Sequence, residues 1–211
     1  CNFIILKLFN INVLVNILGV SQHQLNESIN LIKRFENTMN QLNNSNKFKK
    51  LSLMLDHKFS QGLTMSELIK LFLLTYSNFN NYSINKQIKL SGKNYKKLQQ
   101  IYNSSQSAKG KLSTNKLYKI FSAADDSVHE AAVVLTIIRK GSDLMELMNR
   151  AEHFLKIKSL NLLNGEEIKK ILNIESGPEI GEIIEKIKLR QYKGLIGNKK
   201  DAKRWITSNL T

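Results

Sequence analysis

Nine lysines stand between positions 86 and 119: Lys86, Lys89, Lys93, Lys96, Lys97, Lys109, Lys111, Lys116 and Lys119, with no aspartate or glutamate among them. Ammonium groups neutralise phosphates without reading sequence, so the chemistry on offer is a grip on a nucleic-acid backbone. Tyr95, Tyr102 and Tyr118 are interleaved with these lysines. Phenol rings stack on unpaired bases, yet rings at helical spacing more often fill a core. A second basic set, Arg190, Lys193, Lys199, Lys200, Lys203 and Arg204, lies near the end of the chain.

Other constellations offer little chemistry. His129-Glu130-Ala131-Ala132-Val133 lacks the second histidine of an H-E-x-x-H zinc site. Asp56-His57 has no cluster of further ligands around it at metal-binding spacing. Gly92-Lys93 and Gly110-Lys111 lack the upstream glycine and following Ser/Thr of a phosphate loop. No D-x-D pair exists to hold two magnesium ions, and the adjacent Asp125-Asp126 reads as capping between two helices. The expectation is no catalytic residue, no metal site and no enzyme activity from this chain alone.

Charge points the same way as the lysine runs. Lysine and arginine total 32 against 17 acids, a net charge of +15, and the pI is about 9.8. Such a balance suits a polyanionic partner. Lysine outnumbers arginine 27 to 5, and Asn and Ile are plentiful, a bias that A+T-rich coding explains. Coding bias does not explain the excess of bases over acids. The single cysteine, Cys1, excludes an internal disulfide and fits a reducing cytoplasm. Residues 3–20 are the most apolar stretch, but Lys7, Asn10, Asn12 and Asn16 interrupt it, so a core-facing helix is expected rather than a membrane span or signal peptide.

The elements that position these residues read as helices throughout. Leu25, Ile29, Ile32, Phe35, Met39 and Leu42 form one apolar face. A short helix with Leu51, Leu53, Met54 and Leu55 is expected to end at Gly62, and Thr64-x-x-Glu67 is a capping box for the next. Residues 78–85 and 104–110 read as loops, Ser91 as a helix cap, and Gly141-Ser142 as a break. Pro178 is the only proline; with Gly177 before it and Glu179 after it, it marks a helix start whose apolar face is Ile180, Ile183, Ile184 and Ile187. Asn164-x-x-Glu167 and Asn198-x-x-Asp201 open the flanking helices. The expected fold is all-α, an irregular array of ten or eleven short helices. Its expected divisions are a helical segment at 1–77, a helical body carrying the basic stretch at 78–158 and a helical tail at 159–211.

The run Leu162-Leu163-Asn164-Gly165-Glu166-Glu167-Ile168 through Leu172, followed by Gly177-Pro178-Glu179-Ile180-Gly181, resembles the end of class II tRNA nucleotidyltransferases. That family holds the CCA-adding enzymes and the bacterial poly(A) polymerases. The resemblance continues through Gln191, Gly194, Leu195, Ile196, Lys199, Asp201, Ala202 and Trp205-Ile206, in the family's order of a G-P turn, a helix, a Q-x-x-G step and a helix ending in W-L or W-I. Ile88-Lys89-Leu90-Ser91 and Lys116-Leu117-Tyr118 resemble helices of the family's body domain, and the opening helices are similar to the end of its neck. The head's G-S and D-x-D and the neck's E-D-x-x-R are not here.

The resemblance therefore implies the body and tail, which in the family grip the acceptor and T arms of tRNA. It assigns no cofactor to this chain: magnesium and nucleoside triphosphates would belong to a head that comes from another chain or has been lost. The implied partner is RNA, specifically tRNA, in the cytoplasm and without a membrane. CCA addition and poly(A) synthesis stay equally open. The competing expectation is a non-catalytic helical scaffold, or a decaying remnant of such a gene.

Overall fold

The computed structural model describes residues 21–60, 62–76, 90–108, 110–139 and 141–210. The expected helix at 3–20, the loop at 78–85, and Lys86, Lys89 and Lys109 lie outside them. Ten helices are described: α1 (Gln22–Asn44), α2 (Lys49–Leu55), α3 (Met65–Thr75), α4 (Gly92–Gln106), α5 (Thr114–Ala124), α6 (Val128–Ile138), α7 (Leu144–Ser159), α8 (Gly165–Leu172), α9 (Pro178–Tyr192) and α10 (Lys199–Leu210). The fold is all-α, as the apolar periodicity requires.

One short hairpin departs from that reading. Gly62 does not end α2, which stops at Leu55; β1 (Lys58–Ser60) and β2 (Leu63–Thr64) pair antiparallel between α2 and α3. Gly62 sits at φ +74°, the left-handed region that glycine enters without steric cost. Nor does a loop begin at Ser104. Ser104 and Ser105 are the last buried turn of α4, each hydroxyl bonding back at 2.7 Å to a carbonyl three residues earlier. Self-satisfied serines can stay in a buried helical turn.

α6 is the centre of the larger core. Val128, Ala131, Ala132, Val133, Val134, Leu135 and Ile137 are all buried, as befits a helix apolar on every side. It packs against α1, α4, α5 and α7. Its C-terminal carbonyls are met from α1 by Arg34, which donates to Thr136 O at 3.0 Å and Arg139 O at 2.8 Å. A cation at that end also opposes the negative pole of the helix dipole.

A second core joins α8, α9 and α10 through Leu163, Ile168, Ile180, Ile183, Ile187, Ile196, Ala202 and Ile206. The expected helix starts are built there as read. Gly177 is the N-cap of α9 and Pro178 occupies its first turn. The Asn164–Glu167 capping box is reciprocal, at 2.9 and 3.4 Å. At the other end of α9, Gly194 N–H bonds Gln191 O and Leu195 N–H bonds Arg190 O, both at 2.9 Å. Those two bonds and φ +73° at Gly194 make a Schellman cap, which accounts for the glycine of the Q-x-x-G step.

α9 also ties the smaller core to the larger one. It packs against α5 and α7, and its last residue, Tyr192, is 2% exposed and belongs to the larger core. The Tyr192 ring stacks on His153 at 5.3 Å and meets Tyr118 at 5.6 Å and Phe154 at 6.2 Å. Aromatic contacts of this kind contribute roughly 0.5–1.5 kcal/mol each beyond area burial.

Candidate nucleic-acid interface

The acid-free stretch is carried by α4, α5 and the loop between them. Ser91 caps α4, accepting from Asn94 N–H at 3.2 Å. Lys93 and Lys96 are exposed on α4, Lys111 is exposed in the loop, and Lys119 is exposed on α5, with Lys116 half-buried. Lys97 differs from these. Its ammonium pairs with the Asp126 carboxylate at 3.0 Å and its side chain is 12% exposed. It also donates to Ser127 Oγ at 3.0 Å. Partial burial works against the Asp126 carboxylate, but the bond and charge of Lys97 outweigh it and hold the carboxyl below its ordinary value.

Asp125 and Asp126 are therefore not N-terminal caps: Asp125 is the C-cap of α5, its N–H bonding Phe121 O and Ser122 O. Ser127 is the N-cap of α6, without a side-chain capping bond. Asp126 is committed to Lys97 instead, and Asp125, at φ +54°, pairs with Lys158 of α7 at 2.6 Å. A stretch acid-free in sequence is thus met in space by acids from outside it.

The tyrosines divide in the same way. Tyr118 is buried and donates its hydroxyl to Glu185 of α9 at 2.9 Å. Burial, and then the bond and charge of Glu185, raise its hydroxyl well above the usual range. Its ring packs on Phe154 and Tyr192, so it is closed to base stacking. Tyr95 and Tyr102 are half-buried, and Tyr102 packs on the larger core.

In the tail, Lys193, Lys200, Lys203 and Arg204 are exposed. Arg190 lies over the Trp205 ring at 4.6 Å, a cation–π contact inside the tail. Lys199 pairs with Glu167 at 2.5 Å. That bond offsets the partial desolvation of Glu167 and holds its carboxyl below the ordinary value.

The start of α5, within the lysine-rich stretch, meets the end of α9, where Lys193 of the tail set lies. Ser113, Thr114 and Asn115 share an open cavity of about 590 Å³ with Arg150 of α7, with Tyr192 at the end of α9 and with its C-cap Lys193. No carboxylate lines it. Ser113 caps α5 by accepting from Lys116 N–H at 3.3 Å. The Tyr192 hydroxyl is buried and, among the described residues, has no hydrogen-bond partner. Burial pushes it up to about 12, and the charge of Arg150 acts against that rise. Neither Arg150 nor Tyr192 stands out in the sequence: Arg150 lies between Glu146 and Glu152, in a locally balanced run.

Elsewhere, His129 of the incomplete H-E-x-x-H pattern bonds Glu152 at 2.7 Å. Burial raises the neighbouring Glu130, its own backbone bond and the charges of Lys97 and His129 notwithstanding. Among the described residues no group of three or more His, Cys, Asp or Glu could hold a metal ion, and no helix is long and apolar enough to cross a membrane.

A family model described as tRNA nucleotidyltransferase domain 2, putative, matches residues 61–204. Neither the curated proteins nor the solved structures hold a match.

Proposed function

The chain belongs to the tRNA nucleotidyltransferase domain 2 family, and from that premise we propose that it binds RNA, gripping the acceptor and T arms of tRNA through their phosphates. The observation that carries this reading is the junction of α5 and α9. There the lysine-rich body stretch and the basic tail meet on one folded unit, with Lys193 beside the start of α5. Exposed lysines at 93, 96, 111, 119, 193, 200 and 203 suit shape-directed recognition of an A-form stem, which works through backbone contacts. The chain supplies RNA binding rather than the transfer chemistry, since its 211 residues contain no D-x-D pair. Magnesium and nucleoside triphosphates belong, on this reading, to a nucleotidyltransferase head.

The test is tRNA affinity across a salt series. If ~4–7 phosphates are neutralised, log K falls against log salt with a slope of about −3 to −6. Replacing Lys93, Lys96 and Lys203 together by Glu weakens binding about tenfold or more, equally for every tRNA. Lys97 is left out because its ion pair with Asp126 belongs to the fold. A salt-independent affinity, no binding at low salt, or a loss confined to one tRNA overturns the reading.

A further inference from the structure

We propose that the open cavity between the start of α5 and the end of α9 is a phosphate subsite that seats a single backbone phosphate of the bound RNA. The inference rests on the RNA-binding reading above and assigns part of that grip to Arg150 and Tyr192, which lie outside both basic sets.

The cavity has an excess of donors. At the start of an eleven-residue helix, the backbone N–H groups of Thr114 and Asn115 have no intrahelical acceptor. The positive pole of the helix dipole faces the same way. Arg150 and Lys193 add two full charges, and among the described residues neither has an ion-pair partner. Two like charges converging on one cavity without a counter-charge are unfavourable until an anion enters.

Tyr192 is the second and independent sign. It lines the cavity, is 98% buried by its 2% exposure, and among the described residues its hydroxyl has no hydrogen-bond partner. A buried donor left unbonded is unfavourable; Arg150 and Lys193 cannot accept from it, and none of Ser113, Thr114 and Asn115 does. A phosphate oxygen can. The hydroxyl is held protonated far above neutral pH, so it meets an anion as a donor.

The ligand is a phosphate rather than a base. The Tyr192 ring is already stacked on His153 at 5.3 Å and tilted against Tyr118 at 5.6 Å, so it offers no platform for stacking. The volume of about 590 Å³ falls within the range of about 300–1,000 Å³ usual for ligand sites.

The test measures tRNA affinity and its salt dependence for the full chain, with melting followed by circular dichroism. Tyr192→Phe removes one hydroxyl, keeps the ring, and is expected to weaken tRNA binding about two- to fivefold with no drop in melting temperature. Arg150→Gln and Lys193→Gln are each expected to weaken it about three- to tenfold. Because one phosphate is involved, the double variant lowers the salt slope by about 0.9, not twice that. Lys193 is exposed, so Lys193→Gln carries the test even where Arg150→Gln disturbs folding. Folded variants with wild-type affinity and slope overturn the subsite while leaving RNA binding intact. A wild-type chain that binds no tRNA at low salt overturns both.

Discussion

Glu130 shows how one side chain can be set against its surroundings. Burial raises its carboxyl, and its own backbone bond and the charges of Lys97 and His129 only partly oppose that. A raised carboxyl binds protons more tightly folded than unfolded, so this residue's contribution to stability is lost as pH rises through its folded value. Glu130→Gln is therefore expected to raise the melting temperature at pH 7 and to make no difference at pH 3, where both side chains are neutral. An equal change at both pH values sinks the argument. At this scale the caps were legible, because the partner lies three residues away: Ser91 with Asn94, Thr64 with Glu67, Asn164 with Glu167 and Asn198 with Asp201. Partners far along the chain were not. Lys97 finds Ser127 30 residues on and Tyr118 finds Glu185 67 residues on, and no local pattern encodes either meeting.

At the scale of the element, α9 is the helix whose ends are most fully specified. Pro178 pre-sets the first turn and Gly194 closes the last. The two residues act differently. A proline in a compatible first turn stabilises chiefly by restricting the unfolded chain, so Pro178→Ala is expected to cost less than about 1 kcal/mol. Gly194 holds φ +73° with no atom within 4 Å of where a Cβ would stand. Gly194→Ala is thus a purely conformational change, expected to cost about 1–2 kcal/mol. Urea melts of the two variants check the order, and a larger loss at Pro178 overturns it. The hairpin between α2 and α3 was not legible, because a three-residue strand and a two-residue strand carry no alternating pattern and the turn has no Asn-Gly or Asp-Gly pair.

At the scale of the molecule, two apolar cores are joined by α9. Its apolar face belongs to the smaller core, while Tyr192 at its end belongs to the larger. The bond from Tyr118 to Glu185 is a polar tie across the same contact. Tyr118→Phe keeps the ring packing and deletes that tie, and because Glu185 is exposed it returns to water without an orphaned charge. The expected loss is about 1 kcal/mol in a single cooperative transition. Two separate transitions, or no loss, would show that the tie does not couple the cores.

The sequence by itself determined the helical class, most helix starts, the apolar faces and the basic excess, since all of these depend on spacing within a turn or two and on composition. It also carried the family resemblance, whose Gly-Pro start and Q-x-x-G step are local backbone devices. Only the tertiary structure decided which charges remain at the surface. It set Asp126 against Lys97, buried Tyr118, laid Arg190 on Trp205, and brought Arg150, Tyr192 and Lys193 to the start of α5. The reason is physical: ion pairing and burial depend on distance in space, and a side chain's charge is not available to a ligand until the fold has settled what else stands beside it.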